Sequence, residues 1–196
     1  MILSEEQLDA FQQKGMVILD GYLREDFIQA MRDHLVQLES SYSMRRAGIG
    51  KGSETQVIDE QRGDYIHWID FTDIHTVMLP YRDKMEELRL ELNRNFYLGL
   101  VELEAHLAVY PSGAYYKKHR DRHQKGSRRA VSAALYLNTT WEKDWGGQLC
   151  VDLEDGSQCE VEPKGGRLVF FLSELLHEVR PTRHPRMSLT GWFLQP

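Results

Sequence analysis

Two cysteines, Cys150 and Cys159, are all that this chain of 196 residues carries, too few for the disulfide framework that holds many small secreted domains together. They flank an Asp155-Gly156 turn signal. A two-residue hairpin there sets Cys159 opposite Asp152 rather than Cys150, which argues against a bridge between the two. No run approaches the ~20 consecutive apolar residues of a membrane span, and the chain does not open on a charged segment followed by an apolar one. The expectation is a soluble, cytoplasmic protein with reduced thiols. Positive charge is scarce as well: 24 Lys and Arg stand against 30 Asp and Glu, a net charge of -6. That balance argues against a general nucleic-acid binder, because phosphate contacts require a sizeable basic surface.

What is present fits one compact domain over residues 1–196, with 41% apolar residues available for a core. The first hundred residues read as helical support. Ser4 to Gln7 forms a capping box (Ser-x-x-Gln), Leu8 and Phe11 share a helical face, and Gly15 stops the helix. A short strand at Met16 to Leu19 follows. The second helix spans about Glu25 to Ser40, with Phe27, Met31, Leu35 and Leu38 at helical spacing. A third starts near Pro80 and carries Met85, Leu88, Leu92 and Phe96 before Gly99. Between them, Ser43 to Thr55 is rich in Gly, Ser and charge and reads as a mobile loop, long enough to serve as a lid.

From residue 101 helical periodicity gives way to β-rich runs: Leu103 to Tyr110, Ala130 to Asn138, Gln148 to Leu153, Gln158 to Glu162, Arg167 to Leu172 and Met187 to Leu194. Helices first and closely spaced strands afterwards predict an α+β fold, a jelly-roll barrel buttressed by N-terminal helices.

Chemistry concentrates in the β-rich half. His119-Arg120-Asp121 puts an imidazole and a carboxylate on one face of an extended segment, as two ligands of one ion require. Two histidines and one carboxylate leave open positions on a metal. His177, at the end of the apolar run that starts at Arg167, is the favoured third ligand; His123 and His184 compete. Arg186, nine positions further on, favours His177. Alternation in the last strand places Arg186, Ser188, Thr190 and Trp192 on one face and Met187, Leu189 and Phe193 on the other. A buried arginine row calls for an anion, and a carboxylate accepts a bidentate pair of bonds from guanidinium. Lys117, Lys118, Arg120, Arg122, Lys125, Arg128 and Arg129 crowd around the first two ligands, either as a solvated loop or as an attractor of acidic molecules.

These residues resemble the prolyl 4-hydroxylase branch of the Fe(II), 2-oxoglutarate oxygenases, in particular single-domain bacterial enzymes similar to the hypoxia-type prolyl hydroxylases. The resemblance rests on Ala108-Val109-Tyr110-Pro111, Leu135-Tyr136-Leu137-Asn138, Trp145-Gly146-Gly147-Gln148-Leu149, Gly165 to Phe171 leading to His177-Glu178-Val179, and Arg186 to Trp192. Upstream, Arg62-Gly63-Asp64 followed by Trp68-Ile69 looks like the hypoxia type specifically. Two loops depart from the pattern, 111–119 being slightly shorter than in the animal relatives and 122–129 slightly longer.

The resemblance implies a double-stranded β-helix (cupin-like) fold. It implies Fe(II) on His119, Asp121 and His177, 2-oxoglutarate as cosubstrate, O2 as oxidant and ascorbate as a reductant. Arg186 and Tyr136 would then bind the distal carboxylate of 2-oxoglutarate, with Tyr110 also against the cosubstrate, Thr190 supporting the site and Trp192 forming a bulky wall beside the iron. Arg62, Asp64 and Arg129 would shape a substrate groove closed by the loop at 43–55. The implied substrate is a protein with an exposed proline loop, with elongation factor Tu as a pointer. His106 shares the face of Ala108 and Tyr110 and reads as a hydrogen-bonded core histidine, or else as part of the pocket. Two other readings stay open: the same oxygenase chemistry on a nucleobase or small molecule, and a non-catalytic metal-binding jelly-roll sensor.

Overall fold

The structure, a computed structural model, describes residues 2–48, 60–122 and 126–196. Three helices, α1 (Glu5–Lys14), α2 (Glu25–Ser40) and α3 (Leu79–Phe96), precede most of the sheet. α1 starts on the expected capping box, in which the Ser4 hydroxyl and the Gln7 side chain exchange hydrogen bonds with each other's backbone N–H. It ends on Gly15, whose left-handed φ of 69° lets its N–H reach the Phe11 carbonyl. α3 stops at Phe96 rather than running to Gly99. Tyr97 takes the left-handed position instead, and Asn93 holds the turn by bonding both backbone polar groups of Leu100.

Eleven strands follow the described chain: β1 (Met16–Leu19), β2 (Arg45–Arg46), β3 (Tyr65–Trp68), β4 (Glu102–Tyr110), β5 (Tyr116–His119), β6 (Arg129–Tyr136), β7 (Leu149–Asp152), β8 (Gln158–Val161), β9 (Leu168–Leu172), β10 (His177–Val179) and β11 (Arg186–Leu194). They form a larger sheet in the order β1-β9-β6-β11-β4-β3-β2 and a smaller one in the order β5-β10-β7-β8, antiparallel throughout. This is the jelly roll expected from the order of elements, in the double-stranded β-helix form that the resemblance implies.

The larger sheet is apolar on both faces because it separates two cores. On one side Leu107, Val131, Leu168, Leu189 and Phe193 pack against Met31, Leu35, Met85, Leu88 and Leu92 of the helices. On the other, Ala108, Tyr110, Tyr136, Val169 and Phe171 meet Leu149, Val151, Val161 and Val179 of the smaller sheet. The period-2 alternation of β4, β6, β9 and β11 thus sends every other side chain into the barrel. Burying a Leu or Phe of this kind contributes about 1.5–3 kcal/mol, so the helices hold the sheet flat against the barrel and fix where its inner face points.

Two sequence readings need correction. The β7-β8 hairpin pairs Asp152 with Gln158 and Val151 with Cys159, and the Leu153 N–H donates to the Ser157 carbonyl, so its loop has three residues, 154–156, not two. Gly156 sits at φ 83° with its N–H on the Leu153 carbonyl, the geometry of a turn followed by a left-handed glycine. Cys159 therefore faces Val151, and Cys150 lies opposite Glu160 with its thiol on the other face; both cysteines are free. In the segment 43–55, Arg45 and Arg46 pair with Ile66 and Tyr65 as an edge strand and Ala47 is buried. Residues 49–55 of the expected lid lie outside the described residues, as do His123 and Lys125. Among the described residues no helix is long and apolar enough to cross a membrane.

Candidate metal centre and adjoining anion pocket

His119 closes β5 and His177 opens β10, and the antiparallel pairing of these strands sets the two histidines directly opposite one another. Their rings lie 4.3 Å apart. Asp121 follows β5 at a bend and reaches both: Oδ1 is 3.6 Å from His119 Nε2 and Oδ2 is 3.6 Å from His177 Nε2. The three ligand atoms lie within 4.8 Å of one another and could hold a metal ion. The competing third ligand His184 stacks on Trp145 instead.

The surroundings prepare both imidazoles as ligands. His119 Nδ1 is 2.8 Å from the Lys117 carbonyl, and His177 Nδ1 is 2.9 Å from the Leu175 carbonyl. A carbonyl can only accept, so each ring carries its proton on Nδ1 and turns the Nε2 lone pair toward the centre. Burial pushes the His177 pKa down to about 4 despite the Asp121 charge beside it, so the ring is neutral at physiological pH. Burial alone would raise the Asp121 pKa. His177, His119 and the Ser132 hydroxyl outweigh it and hold the carboxyl well below its usual range. The Ser132 hydroxyl donates to Asp121 Oδ2 at 2.7 Å and lies 2.9 Å from the Ser173 hydroxyl. Two imidazoles with Nε2 turned inward and a fixed carboxylate, all within reach of one point, are a donor set that fits Fe(II).

Next to the triad, Arg186 is 3% exposed. It spends its Nε on the Gly147 carbonyl at 3.0 Å and has a long contact to Ser188, and among the described residues no carboxylate pairs with it. The guanidinium lies 4.9 Å from the ring centres of both Tyr110 and Tyr136, and the fully buried Tyr136 hydroxyl has no hydrogen-bond partner among the described residues. A buried cation with unspent donors beside an orphaned hydroxyl is costly in an empty protein. It is what the carboxylate of a diacid would satisfy. The site residues therefore fit both a divalent metal and an acidic cosubstrate.

Arg62, Tyr116, Arg129, Thr190 and Trp192 line the same cavity as the triad and Arg186. Asp64 and Tyr136 do not line it; they contact Arg62 and Arg186, which do. Arg62 is held by Asp64 through two bonds of 2.7 and 2.6 Å; the Asp64 side chain is wholly buried. The same guanidinium covers the Tyr116 ring at 4.3 Å, and Tyr116 stacks on His119 at 3.6 Å. Arg62 and Asp64 are thus tied mechanically to a candidate ligand. Across the cavity Arg129 pairs with Glu104 and lies 3.6 Å over Trp192.

Sequence reasoning missed Ser132, Ser173 and the Tyr116 stack. A serine inside the run Ala130 to Leu137 carries no signal that sets it apart from packing. The basic cluster is also less free than its composition suggested: Lys118 pairs with Asp152, Arg128 with Glu102 and Arg129 with Glu104, and Arg120 donates to the Glu174 carbonyl.

Comparison with known proteins agrees with this geometry. Residues 105–194 match the family model of the 2OG-Fe(II) oxygenase superfamily. The chain is similar to the crystal structure of a prolyl-4-hydroxylase from Pseudomonas putida, with 36% identity and a TM-score of 0.88 over 100% of both chains. Its fold is also that of a prolyl hydroxylase from Trichoplax adhaerens in complex with a hypoxia inducible factor oxygen degradation domain peptide fragment (24% identity, TM-score 0.85, 96% of this chain and 87% of that one). A prolyl 4-hydroxylase from Phytophthora capsici shares the fold as well, with 20% identity and a TM-score of 0.71 over 98% of this chain and 62% of that one. With a donor set that fits iron, an anion pocket beside it, and full-length similarity to a bacterial relative, the chain belongs to the 2OG-Fe(II) oxygenase superfamily.

Proposed function

We propose that this chain is a protein prolyl 4-hydroxylase, coupling the oxidative decarboxylation of 2-oxoglutarate to hydroxylation of a prolyl residue in an exposed loop. The observation that carries the reading is the placement of the unpaired, buried Arg186 beside the His119, Asp121 and His177 triad in one cavity. Membership of the superfamily brings Fe(II), 2-oxoglutarate and O2; ascorbate is proposed as the reductant that keeps the metal divalent.

In this reading His119, Asp121 and His177 hold iron through Nε2, Oδ and Nε2. Iron and 2-oxoglutarate together supply the oxygen activation. Everything else falls to the chain. Arg186 binds the distal carboxylate and Tyr136 donates its orphaned hydroxyl to the same end, while Tyr110 lies against the cosubstrate. Ser132 keeps Asp121 deprotonated and aimed between the two imidazoles. Thr190 and Trp192 form the wall that excludes water from the reacting carbon. Arg62, held by Asp64, and Arg129, held by Glu104, flank the cavity and contact the substrate.

Similarity to the Pseudomonas putida enzyme over the whole chain favours a prolyl residue, and the peptide complex of the Trichoplax adhaerens enzyme favours a protein loop as its carrier. Elongation factor Tu is the proposed partner. The free thiols support a cytoplasmic location, and residues 1–196 are taken as one catalytic domain because the helices pack on the sheet that lines the site. Extensive pairing of the basic residues around the triad weighs against a nucleic-acid substrate. Anaerobic addition of Fe(II) and 2-oxoglutarate tests the chemistry: a metal-to-ligand charge-transfer band is expected, absent in Arg186→Ala. No band in the wild type supports the non-catalytic sensor. Mass spectrometry of elongation factor Tu incubated with the loaded enzyme in air tests the substrate, through the gain of one oxygen on a proline.

A further inference from the structure

One polar side chain in the cavity has no task in the mechanism above. His106 lies on the inner face of β4, is 3% exposed, and has its Nδ1 sealed from solvent without a partner. No hydrogen bond among the described residues engages Nε2 either. It is therefore not the hydrogen-bonded core histidine expected from sequence, and its ring lines the same cavity as the triad. Two indoles frame it: Trp68 meets it edge-on at 4.9 Å, and Trp192 lies 5.3 Å away. Burial, and after it the Arg62 charge, push its pKa down to about 3, so at physiological pH the ring is neutral, with one N–H to donate and one lone pair.

Its place in the sheet narrows what could satisfy it. His106 pairs in register with Thr190 of β11, which in turn faces Ala134 of β6. It stands two strands, about 10 Å, across from the β6 chain that carries the Asp121 partner Ser132. Along β4 it lies four residues, about 13 Å, from Tyr110, whose cross-strand partner is Arg186. The imidazole thus faces the triad from the opposite wall, away from the anion pocket, between two aromatic walls. A prolyl residue entering there brings an apolar ring and a peptide carbonyl. The carbonyl accepts from a neutral imidazole, and the ring packs on indole.

We propose that His106 binds substrate through Nε2, the nitrogen that is not sealed within the fold, donating a hydrogen bond to the peptide carbonyl of the residue presented to the metal and so setting its register in the cavity. The inference rests on the reading of the chain as an oxygenase of a protein substrate. Leaving a buried donor unpaired is tolerable because the substrate supplies its acceptor.

The test uses the full-length, iron-loaded protein and a panel of prolyl peptides drawn from exposed loops of elongation factor Tu and of unrelated proteins. The peptide that the wild type hydroxylates fastest serves as the probe for His106→Leu and His106→Gln. His106→Leu is expected to raise the KM for that peptide roughly tenfold, equivalent to ~1.4 kcal/mol, while the KM for 2-oxoglutarate moves less than about twofold. His106→Gln, which keeps a donor, is expected to recover most of the loss, and this separates a lost hydrogen bond from a damaged fold. An unchanged peptide KM in His106→Leu overturns the inference, as does a change that falls on 2-oxoglutarate instead. If the wild type hydroxylates no peptide or protein at all, the protein-substrate reading itself fails and takes this inference with it.

Discussion

His119 and His177 are cross-strand partners, aligned in register between β5 and β10 with their rings 4.3 Å apart. The sheet, rather than a metal, brings the two imidazoles together, and the carbonyls of Lys117 and Leu175 choose their tautomer. Only the carboxylate ligand lies outside a strand, and Ser132 is what holds it. Removing that support should weaken the centre without dismantling it. Ser132→Ala is expected to lower the affinity for Fe(II) or Co(II) by roughly 10–100-fold. Anaerobic metal titration checks this, and an unchanged affinity would show that Asp121 needs no anchor.

Arg186 is a cation buried without a carboxylate, so its place in the empty protein is a cost that the cosubstrate offsets. Arg186→Met replaces it by an apolar chain of similar length. The ligand-free protein is expected to be as stable as the wild type or more stable. In the wild type, 2-oxoglutarate or its non-reactive analogue N-oxalylglycine at about 100 times its Kd should stabilise by roughly 2.7 kcal/mol, and this gain should vanish in Arg186→Met. Thermal unfolding with and without ligand measures both. A large loss of stability in the ligand-free variant would mean that Arg186 is a structural residue.

Gly146 positions the acceptor of that arginine. Its φ of 74° and ψ of -142° belong to a region that side chains avoid, and an added Cβ would lie 2.4 Å from the Pro181 carbonyl oxygen. The next carbonyl, from Gly147, accepts from Arg186. Gly146→Ala should therefore shift the Arg186 support and raise the KM for 2-oxoglutarate by roughly tenfold or more, an effect on binding that a simple loss of stability would not produce.

How much of this was legible beforehand depends on where the information lies. α1 could be read to the residue because its signals, the Ser4 and Gln7 box and Gly15, act within a few positions along the chain. β5 and β10 could not: Tyr116 to His119 is polar, His177 to Val179 is short, and they become strands only because β5 pairs with β10 and β10 with β7. The triad was legible as residue types with a spacing, and Arg186 as a charge on an inward face. Ser132 and the Tyr116 stack are properties of tertiary contact, with no local pattern to betray them. The misread hairpin makes the same point. Asp155 and Gly156 announce a turn, but whether two or three residues cross it is decided by the strands on either side.

The Arg62–Asp64 pair should behave as a buried ion pair whose removal by halves is worse than its removal whole. Asp64→Ala leaves a guanidinium with 11% exposed side chain and no counter-ion, and is expected to cost about 3–5 kcal/mol. The double substitution Arg62→Met with Asp64→Leu should recover much of that. Because Arg62 lies over Tyr116 and Tyr116 on His119, the double variant should still bind metal more weakly than the wild type. Urea unfolding with a metal titration on the wild type and the two variants tests the argument, and a double variant no more stable than Asp64→Ala would refute it.

His106 also makes a prediction about acid. Its ordinary pKa of 6.5 is lowered to about 3 in the fold, so above pH 6.5 neither the folded nor the unfolded chain protonates it, and it has no effect on stability. Between pH 6.5 and 3 the unfolded chain binds a proton that the folded protein refuses, so stability must fall as pH falls, by ~1.4 kcal/mol per pH unit from this residue. His106→Gln removes that slope. Whatever its stability relative to the wild type at pH 7, the variant should gain about 2 kcal/mol on it by pH 5. Urea unfolding of the metal-free proteins at both values measures the gain. His177 contributes a similar slope to both proteins and cancels. A difference between variant and wild type that does not change with pH would mean that His106 is open to water, and would remove the ground for treating its N–H as a donor kept for a substrate.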